Sequence, residues 1–381
     1  MRITIFENIM TPGGHEVDFD RILVEELQKL GHEVDFCVPE GFKFNFDYKV
    51  LVRELSGSVV SYSGVTGIRK LFRTVKREIH RLNWYKQLYE LGEAGKTDAI
   101  IVPTSTYRYL RALAKSVLSK SKVPVIFILH GINPSEAPKF LRAAKRLEKC
   151  PNIRPVVLTF TDNIFGEKRK NIRTIYPPTF VPRDISWRPE AHKLVNKKFL
   201  TIGFFGQYRR EKHLEDFLDI YVQGKYTRPV KLLVQGSTMH PEDAVDFERI
   251  IDKYKSYAGI DFLHKGLIGA EWQQAIAGVD ALLMPYSAER YRYHWGGMLF
   301  TAIGFQKPVI ASDDMNPEVF AAYHIGECFK SGDMAALKLA LEAFINNYDA
   351  ALPQYTNELK KAATEYSPAE FARQIEKIIK E

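Results

Sequence analysis

Residues 199–217 read FLTIGFFGQYRREKHLEDF. An apolar, β-branched run ends at Gly206, a cationic stretch holding Arg209, Arg210 and Lys212 follows, and a segment of helical period then begins. A buried strand that turns through glycine into a helix is the repeating unit of parallel sheets covered by helices. The unit recurs downstream in VKLLVQG (230–236), GIDFLHKG (259–266), DALLMP (280–285) and PVIAS (308–312). Upstream of Tyr176-Pro177-Pro178 the same alternation gives RITIF (2–6), EVDFCV (33–38), DAIIV (98–102), PVIFIL (124–129) and RPVVLTF (154–160). Between the first two of these, Val17, Ile22, Leu23, Leu27 and Leu30 fall mainly on one helical face. The expected fold class is α/β, with two Rossmann-like doubly wound domains facing a central cleft, since ligands of open α/β sheets bind at the carboxyl ends of the strands.

The chain has 381 residues. At roughly 100–200 residues per domain that length suits two domains. The expected bounds are 1–180 for the first and 195–365 for the second, joined by a Pro-rich, strand-poor segment. The closing stretch 366–381 reads as a helix that can cross back to the first domain. A hydrophobic share of 45% and a charged share of 26% exclude a disordered or collagen-like chain. No apolar run approaches the ~20 residues that cross a bilayer. The opening MRITIFENIM reads as a strand rather than a secretory signal, so a cytoplasmic location is expected. Cys37, Cys150 and Cys328 lack CxxC or CxxH spacing and are expected as free buried thiols in a reducing compartment.

Net charge is +8, and residues 61–180 alone carry +15. Such a region attracts nucleic acid, anionic lipid or phosphorylated substrates, and charge alone does not choose among them. Within it, 69–86 places Leu71, Phe72, Val75, Ile79 and Leu82 on one side of a helix, with Arg73, Lys76, Arg77 and Lys86 around the flanks and Trp84-Tyr85 at the end. Two readings stay open: a helix whose stripe faces its own core, and an interfacial helix on anionic lipid. Arg108, Arg111, Lys115, Arg142, Lys145, Arg146, Lys149, Lys168, Arg169 and Lys170 extend the positive charge. Peripheral, salt-sensitive association with the inner face of a membrane is the expectation drawn from this pattern.

Several loops can carry chemistry. After the first strand, Gly13-Gly14 precedes a helix, either as a tight turn or as a close approach to an anion. Arg209, Arg210 and Lys212, after a strand, suit a polyphosphate, and equally suit a salt-bridged helix start with Glu211 and Glu215. In 280–320 an aromatic, Arg-rich loop leads to Gly296-Gly297 and a helix beginning near Met298, a second anion site by its free N–H groups. Together the two could hold one diphosphate. Tyr293, His294 and Trp295 can pack over a sugar or base, or fill a lid; His130 at a strand end can reach the cleft, or make a structural hydrogen bond; Glu318 can face a bound ligand, or cap a helix. Neither GxGxxG nor GxxxxGK[ST] occurs, so dinucleotide and P-loop binding lack a motif. No His and Asp cluster at metal-ligand spacing accompanies these loops, and with Lys and Arg available no metal or other cofactor is required.

In their order and spacing these pieces resemble the GT-B glycosyltransferases, particularly the retaining family 4, over nearly the whole chain. GGHEVDFDRILVEELQKLGHEV (13–34) is similar to the family's acceptor-domain glycine loop and helix, FFGQYRREKHLEDF to its strand ending in Gly-Arg before Glu-Lys-Gly, and LLVQG to its next strand. HKGLIG, with Gly266 and Leu267, resembles the nucleobase-side loop, and KPVIAS with Pro317-Glu318 the Gly-x-Pro-Val-Ile-Ala-Ser region. The resemblance implies a donor site of Gly14, Arg209, Arg210, Lys212, Gly266, Leu267, Glu289, Tyr293, Gly296, Gly297, Met298 and Thr301, with His130, Lys212 and Glu318 in catalysis. Gln207 stands where the family has Arg. Of the family's glutamate pair, Glu289 takes the first position at a spacing about four residues longer, and Thr301 replaces the second. The implied activity is transfer of a sugar from a nucleotide-diphosphate sugar to a saccharide or lipid-linked saccharide in cell-surface polysaccharide or glycoconjugate synthesis, with retention of configuration and without a nucleic-acid partner. A catalytically inactive accessory protein of the same shape, binding a glycan or a partner transferase, is the alternative. A nucleotide-sugar epimerase would need cleft carboxylates that the sequence does not present.

Overall fold

The computed structural model describes residues 1–9, 15–61, 67–166, 170–187 and 198–381. Gly13-Gly14, Lys168, Arg169 and residues 188–197, which include the later part of the joining segment, lie outside the described residues. The chain divides into two compact units, Met1–Pro177 with Pro368–Glu381, and Pro178–Ser367.

The first unit runs β1 (Arg2–Phe6), α1 (His15–Lys29), β2 (Glu33–Glu40), β3 (Val52–Ser58), α2 (Gly67–Glu93), β4 (Ala99–Val102), α3 (Tyr107–Leu113), β5 (Val125–Leu129), α4 (Ala137–Arg146), β6 (Ile153–Leu158) and β7 (Arg173–Ile175). Its seven strands lie in the order β3-β2-β1-β4-β5-β6-β7, every pair parallel. Every residue of β4, β5 and β6 is buried, which is why these strands read as continuous apolar runs rather than alternating ones. The edges differ. Only Leu55 of β3 is buried, and β7 buries only Ile175, so neither shows an apolar run in the sequence.

The second unit runs β8 (Leu200–Phe204), α5 (Leu214–Gln223), β9 (Val230–Gly236), α6 (Pro241–Tyr254), β10 (Ile260–His264), α7 (Gly269–Gly278), β11 (Ala281–Met284), α8 (Gly297–Gly304), β12 (Val309–Ser312), α9 (Pro317–Ala322), β13 (Gly326–Phe329) and α10 (Met334–Glu365). The six strands lie in the order β10-β9-β8-β11-β12-β13, again all parallel. Asp333 caps α10 by accepting the N–H of Ala336.

The final helix, α11 (Pro368–Lys380), belongs to the first unit. Phe371 packs on Phe19 of α1 with ring centres 5.5 Å apart, His32 meets Glu376 at 3.0 Å, and Arg154 of β6 donates to the carbonyl of Ile379 at 2.8 Å. The boundaries fall at Pro177/Pro178 and Ser367/Pro368 rather than at 180 and 365. Residues from Pro178 onward go with the second unit because the Thr179 N–H donates to the Tyr366 carbonyl (2.8 Å) and Phe180 stacks on Trp295 (4.7 Å). The expectation of three buried thiols is corrected: Cys37 is buried and its thiol is pushed up to about 12 by desolvation, Cys150 is half-buried and Cys328 is exposed.

Candidate functional site

In the second unit the strand order reverses between β8 and β11, the position at which open α/β sheets bind ligands beyond the carboxyl ends of their strands. The loop after β8 turns at Gly206, whose φ of +102° is available only to glycine without strain. Its N–H donates to Gln235 Oε1 at 2.9 Å, and a Cβ there would sit 3.4 Å from Lys212 Nζ. Arg210–Lys212 forms a single 3-10 turn, closed by His213 in the left-handed region, and α5 begins after it.

This turn drives Lys212 inward. It is 7% exposed, and its ammonium lies over the Tyr286 ring at 4.6 Å and near the Phe204 ring at 5.7 Å. Its hydrogen bond goes to the Phe205 carbonyl at 3.5 Å, and no carboxylate pairs with it among the described residues. Burial, with the neighbouring Arg209 second, pulls its pKa down to about 7. A buried ammonium lined by ring faces and carbonyl oxygen is short of negative charge, and an anion entering the crevice would supply it.

The loop after β11 forms the other wall. Tyr286 is buried, and Glu211 accepts the Tyr291 hydroxyl at 2.9 Å and pairs with Arg290, so the loops after β8 and β11 are tied together beside Lys212. Asn316, held at φ +47°, accepts the Gly296 N–H through Oδ1 at 3.1 Å and donates to the His294 carbonyl at 3.0 Å. A Cβ on Gly296 would meet that Oδ1 at 2.6 Å, whereas one on Gly297 would meet nothing within 4 Å. The glycine pair therefore has one packed member and one open member. Helix α8 starts at the open one, with Met298 half-buried in its first turn.

The structure places the sequence-derived residues unequally. Lys212 and the Gly296-Gly297 start of α8 lie on the two walls linked by Glu211, Tyr291 and Asn316. Arg209 stays half-exposed near Glu211 at 3.8 Å and donates to Gln207 Oε1 at 3.2 Å. Arg210 turns away, largely exposed, to Asp246 at 3.1 Å. Gly266 and Leu267 follow β10, and a Cβ on Gly266 would lie 3.9 Å from that of Ser237, which bridges to Gln207. Thr301 is buried and its hydroxyl donates to the Gly297 carbonyl at 2.8 Å, so towards a ligand it keeps only an acceptor lone pair. Glu289 is exposed, and Tyr293 is half-buried. Among the described residues Glu318 makes no capping bond at α9, and its buried Oε2 has no hydrogen-bond partner. In the first unit, His130 Nε2 meets the Pro103 carbonyl at 2.9 Å and its ring stands edge-on to Phe19 at 4.6 Å. Gly14 lies outside the described residues.

Two supports escaped the sequence reading. Gln235, 1% exposed, joins the Gly206 N–H to the Lys265 carbonyl and so fixes the loops after β8 and β10 together. Its signal was available: a glutamine inside the apolar run LLVQG needs partners on both sides of its amide. Asn316 left no such mark, because its role depends on a left-handed backbone.

Residues 187–367 match the family described as glycosyl transferases group 1. Among solved structures, Anabaena Alr3699/HepE in complex with UDP is similar over 100% of both chains at 13% identity, with a TM-score of 0.69. Sucrose-phosphate synthase from Thermosynechococcus elongatus gives a TM-score of 0.69 at 15% identity, covering 100% of this chain and 98% of that one. The catalytic domain of starch synthase IV from Arabidopsis thaliana, bound to ADP and acarbose, gives 0.66 at 14% identity, covering 100% and 98%. The fold is GT-B. No curated protein matches the chain by sequence. The family match falls within the unit that carries Lys212.

Proposed function

We propose that the chain is a glycosyltransferase that takes a sugar from a nucleotide-diphosphate donor bound at the β8/β11 crevice. The observation that carries this reading is Lys212, a buried ammonium with no ion-paired carboxylate among the described residues, at the strand-order reversal of the unit matched to the glycosyl transferases. The UDP and ADP named with two of the similar structures support a nucleotide as ligand. As the glycosidic bond to the diphosphate breaks, negative charge grows on the leaving oxygen. Lys212 and the N-terminus of α8 would stabilise it, and one such donor is worth roughly 10²–10³ in rate. Tyr286 and Phe204 keep water from the ammonium. Glu318, with an unpartnered oxygen, is the residue we assign to the donor sugar's hydroxyls. Transfer with retention, to a saccharide or lipid-linked saccharide in cell-surface glycan synthesis, completes the proposal.

A second reading, an inactive accessory protein of this fold, draws on Thr301, whose hydroxyl proton is engaged within α8, and on Gln207 in place of Arg. Thermal melting with UDP, GDP and ADP, without added Mg²⁺, separates the two. A donor nucleotide at about 100 times its dissociation constant adds about 2.7 kcal/mol to stability. No shift with any nucleotide at millimolar concentration removes the donor site and leaves the accessory reading.

A further inference from the structure

Helix α2 carries two different apolar faces. Along its second half, Arg81, Trp84, Tyr85 and Leu88 are buried, and the helix is seated on the edge strand β3: Trp84 Nε1 donates to the Gly57 carbonyl (2.8 Å), Asn83 to the Ser56 carbonyl (2.9 Å), and His80 Nδ1 meets the Ser58 carbonyl (2.7 Å). Along its first half the apolar residues are Ile68, Leu71, Phe72, Val75, Ile79 and Leu82, which recur at the spacing of one helical face. Phe72 and Arg81, Val75 and Trp84, and Ile79 and Leu88 are each nine positions apart, about two and a half turns. The stripe therefore points away from the unit's own core. It is exposed throughout: Ile68 is 75%, Phe72 70% and Leu71 65% accessible. This overturns the own-core reading of the segment.

The charge beside the stripe is of one sign. Residues 67–77 contain Arg69, Lys70, Arg73, Lys76 and Arg77 and no acidic residue. Arg69, Lys70 and Lys76 make no ion pair among the described residues, Arg73 donates to the Ser61 carbonyl, and Glu78 is engaged by Arg77 and Arg81. A large apolar stripe flanked by cations, with Arg69, Lys70 and Lys76 making no ion pair among the described residues, fits a surface that is oily below and anionic above. A second copy of the chain fits badly, since it would bring the same five cations against themselves.

We propose that this face of α2 docks on a bilayer containing anionic lipid, the stripe entering the boundary between headgroups and acyl chains while the flanking cations meet lipid phosphates. The assignment stands independently of the donor-site reading. Cosedimentation of the full chain with vesicles of phosphatidylcholine, alone or mixed with about one-third phosphatidylglycerol, tests it at low and high salt. Binding to the mixed vesicles at low salt, at least ~10-fold above the neutral ones, is expected, with most of the difference lost at high salt. The exposed triple variant Leu71→Ser, Phe72→Ser, Val75→Ser abolishes it, and Arg69→Glu, Lys70→Glu, Lys76→Glu weakens it on the order of 100-fold or more. Absence of binding at low salt, or binding that survives both triple variants, overturns the proposal. So does sedimentation velocity showing a dimer that the apolar triple dissociates, which would make the stripe a self-interface. Nucleotide-induced melting shifts, measured on the same samples, report the fold and the donor site separately. An intact shift with lost vesicle binding ties the effect to the α2 face, and an intact shift with no wild-type binding rejects the surface alone.

Discussion

Lys212 is buried with its ammonium over the Tyr286 ring. Its folded pKa of about 7 lies below the ordinary lysine value of 10.5, so between these two the unfolded chain holds a proton that the native chain has released. Native stability therefore rises with pH across that window. Lys212→Met should remove the rise and make the ligand-free protein more stable below about pH 7 by roughly 1–4 kcal/mol, because a buried charge is replaced by a side chain of similar volume. The same variant should bind nucleotide diphosphate roughly 10- to 100-fold more weakly, through loss of a charge-assisted contact. Melting curves against pH, with and without nucleotide, check both. A variant that melts like wild type and keeps its nucleotide shift would make Lys212 a bystander. Glu7 is the opposite case. At the end of β1 its Oε1 accepts the backbone N–H groups of Asn8 (2.6 Å) and Ile9 (2.5 Å), yet desolvation raises its pKa to about 8, and buried Asp20 is raised with it. A raised carboxyl stabilises fully below the unfolded value and loses that contribution as pH climbs through the folded one. Glu7→Gln, which keeps an acceptor oxygen, should melt higher than wild type at about pH 8.5 and alike at about pH 5. A gap of the same size at both pH values would show that Glu7 does not titrate there.

At the scale of elements, the start of α8 makes a paired prediction. Gly296→Ala drives a Cβ into Asn316 Oδ1 and against Met315, breaking the tie between that loop and α9, at a cost of roughly 1–3 kcal/mol and with loss of the nucleotide shift. Gly297→Ala meets open space and should stabilise the apo chain by ~0.4–1 kcal/mol. Denaturant midpoints for the two variants should move in opposite directions; movement together would mean that the glycines are not distinguished by packing. The central elements were legible because their burial is written into composition: β4, β5, β6, β11 and β12 are buried at every position and read as unbroken apolar runs. The outer strands β3, β7 and β13 were not, since half-exposed residues such as Arg53, Arg173 and Glu327 break any period. The site divides similarly. As candidates, Lys212 and Gly296-Gly297 stood out by charge after a strand and by glycine before a helix, whereas Asn316 and the engaged hydroxyl of Thr301 depend on backbone geometry that composition does not carry. The direction in which the α2 stripe faces was also open, because periodicity finds a face and only the fold decides what it meets.

For the molecule as a whole, the first unit is assembled from two separated pieces of chain and the second from one. Helix α11 buries Phe371, Ala372, Ile375, Ile378 and Ile379, and its carbonyl ends accept from Arg154. Removing 368–381 should therefore uncover α1 and the β6 flank, lower the stability of the first unit by several kcal/mol at roughly 1.5–3 kcal/mol per large buried side chain, and leave the second unit's melting unchanged. Calorimetry with and without nucleotide separates the two transitions, and a truncated chain whose first unit melts as before would contradict the packing. There is also a consequence for order in time. Residues 178–367 form one uninterrupted stretch, so that unit holds all of its own segments before the helix that closes the first unit is made. The first 177 residues must wait, with the seat of α11 bare, until the last helix emerges. The stretch that comes earlier in the chain therefore completes its packing only after the stretch that follows it has been made.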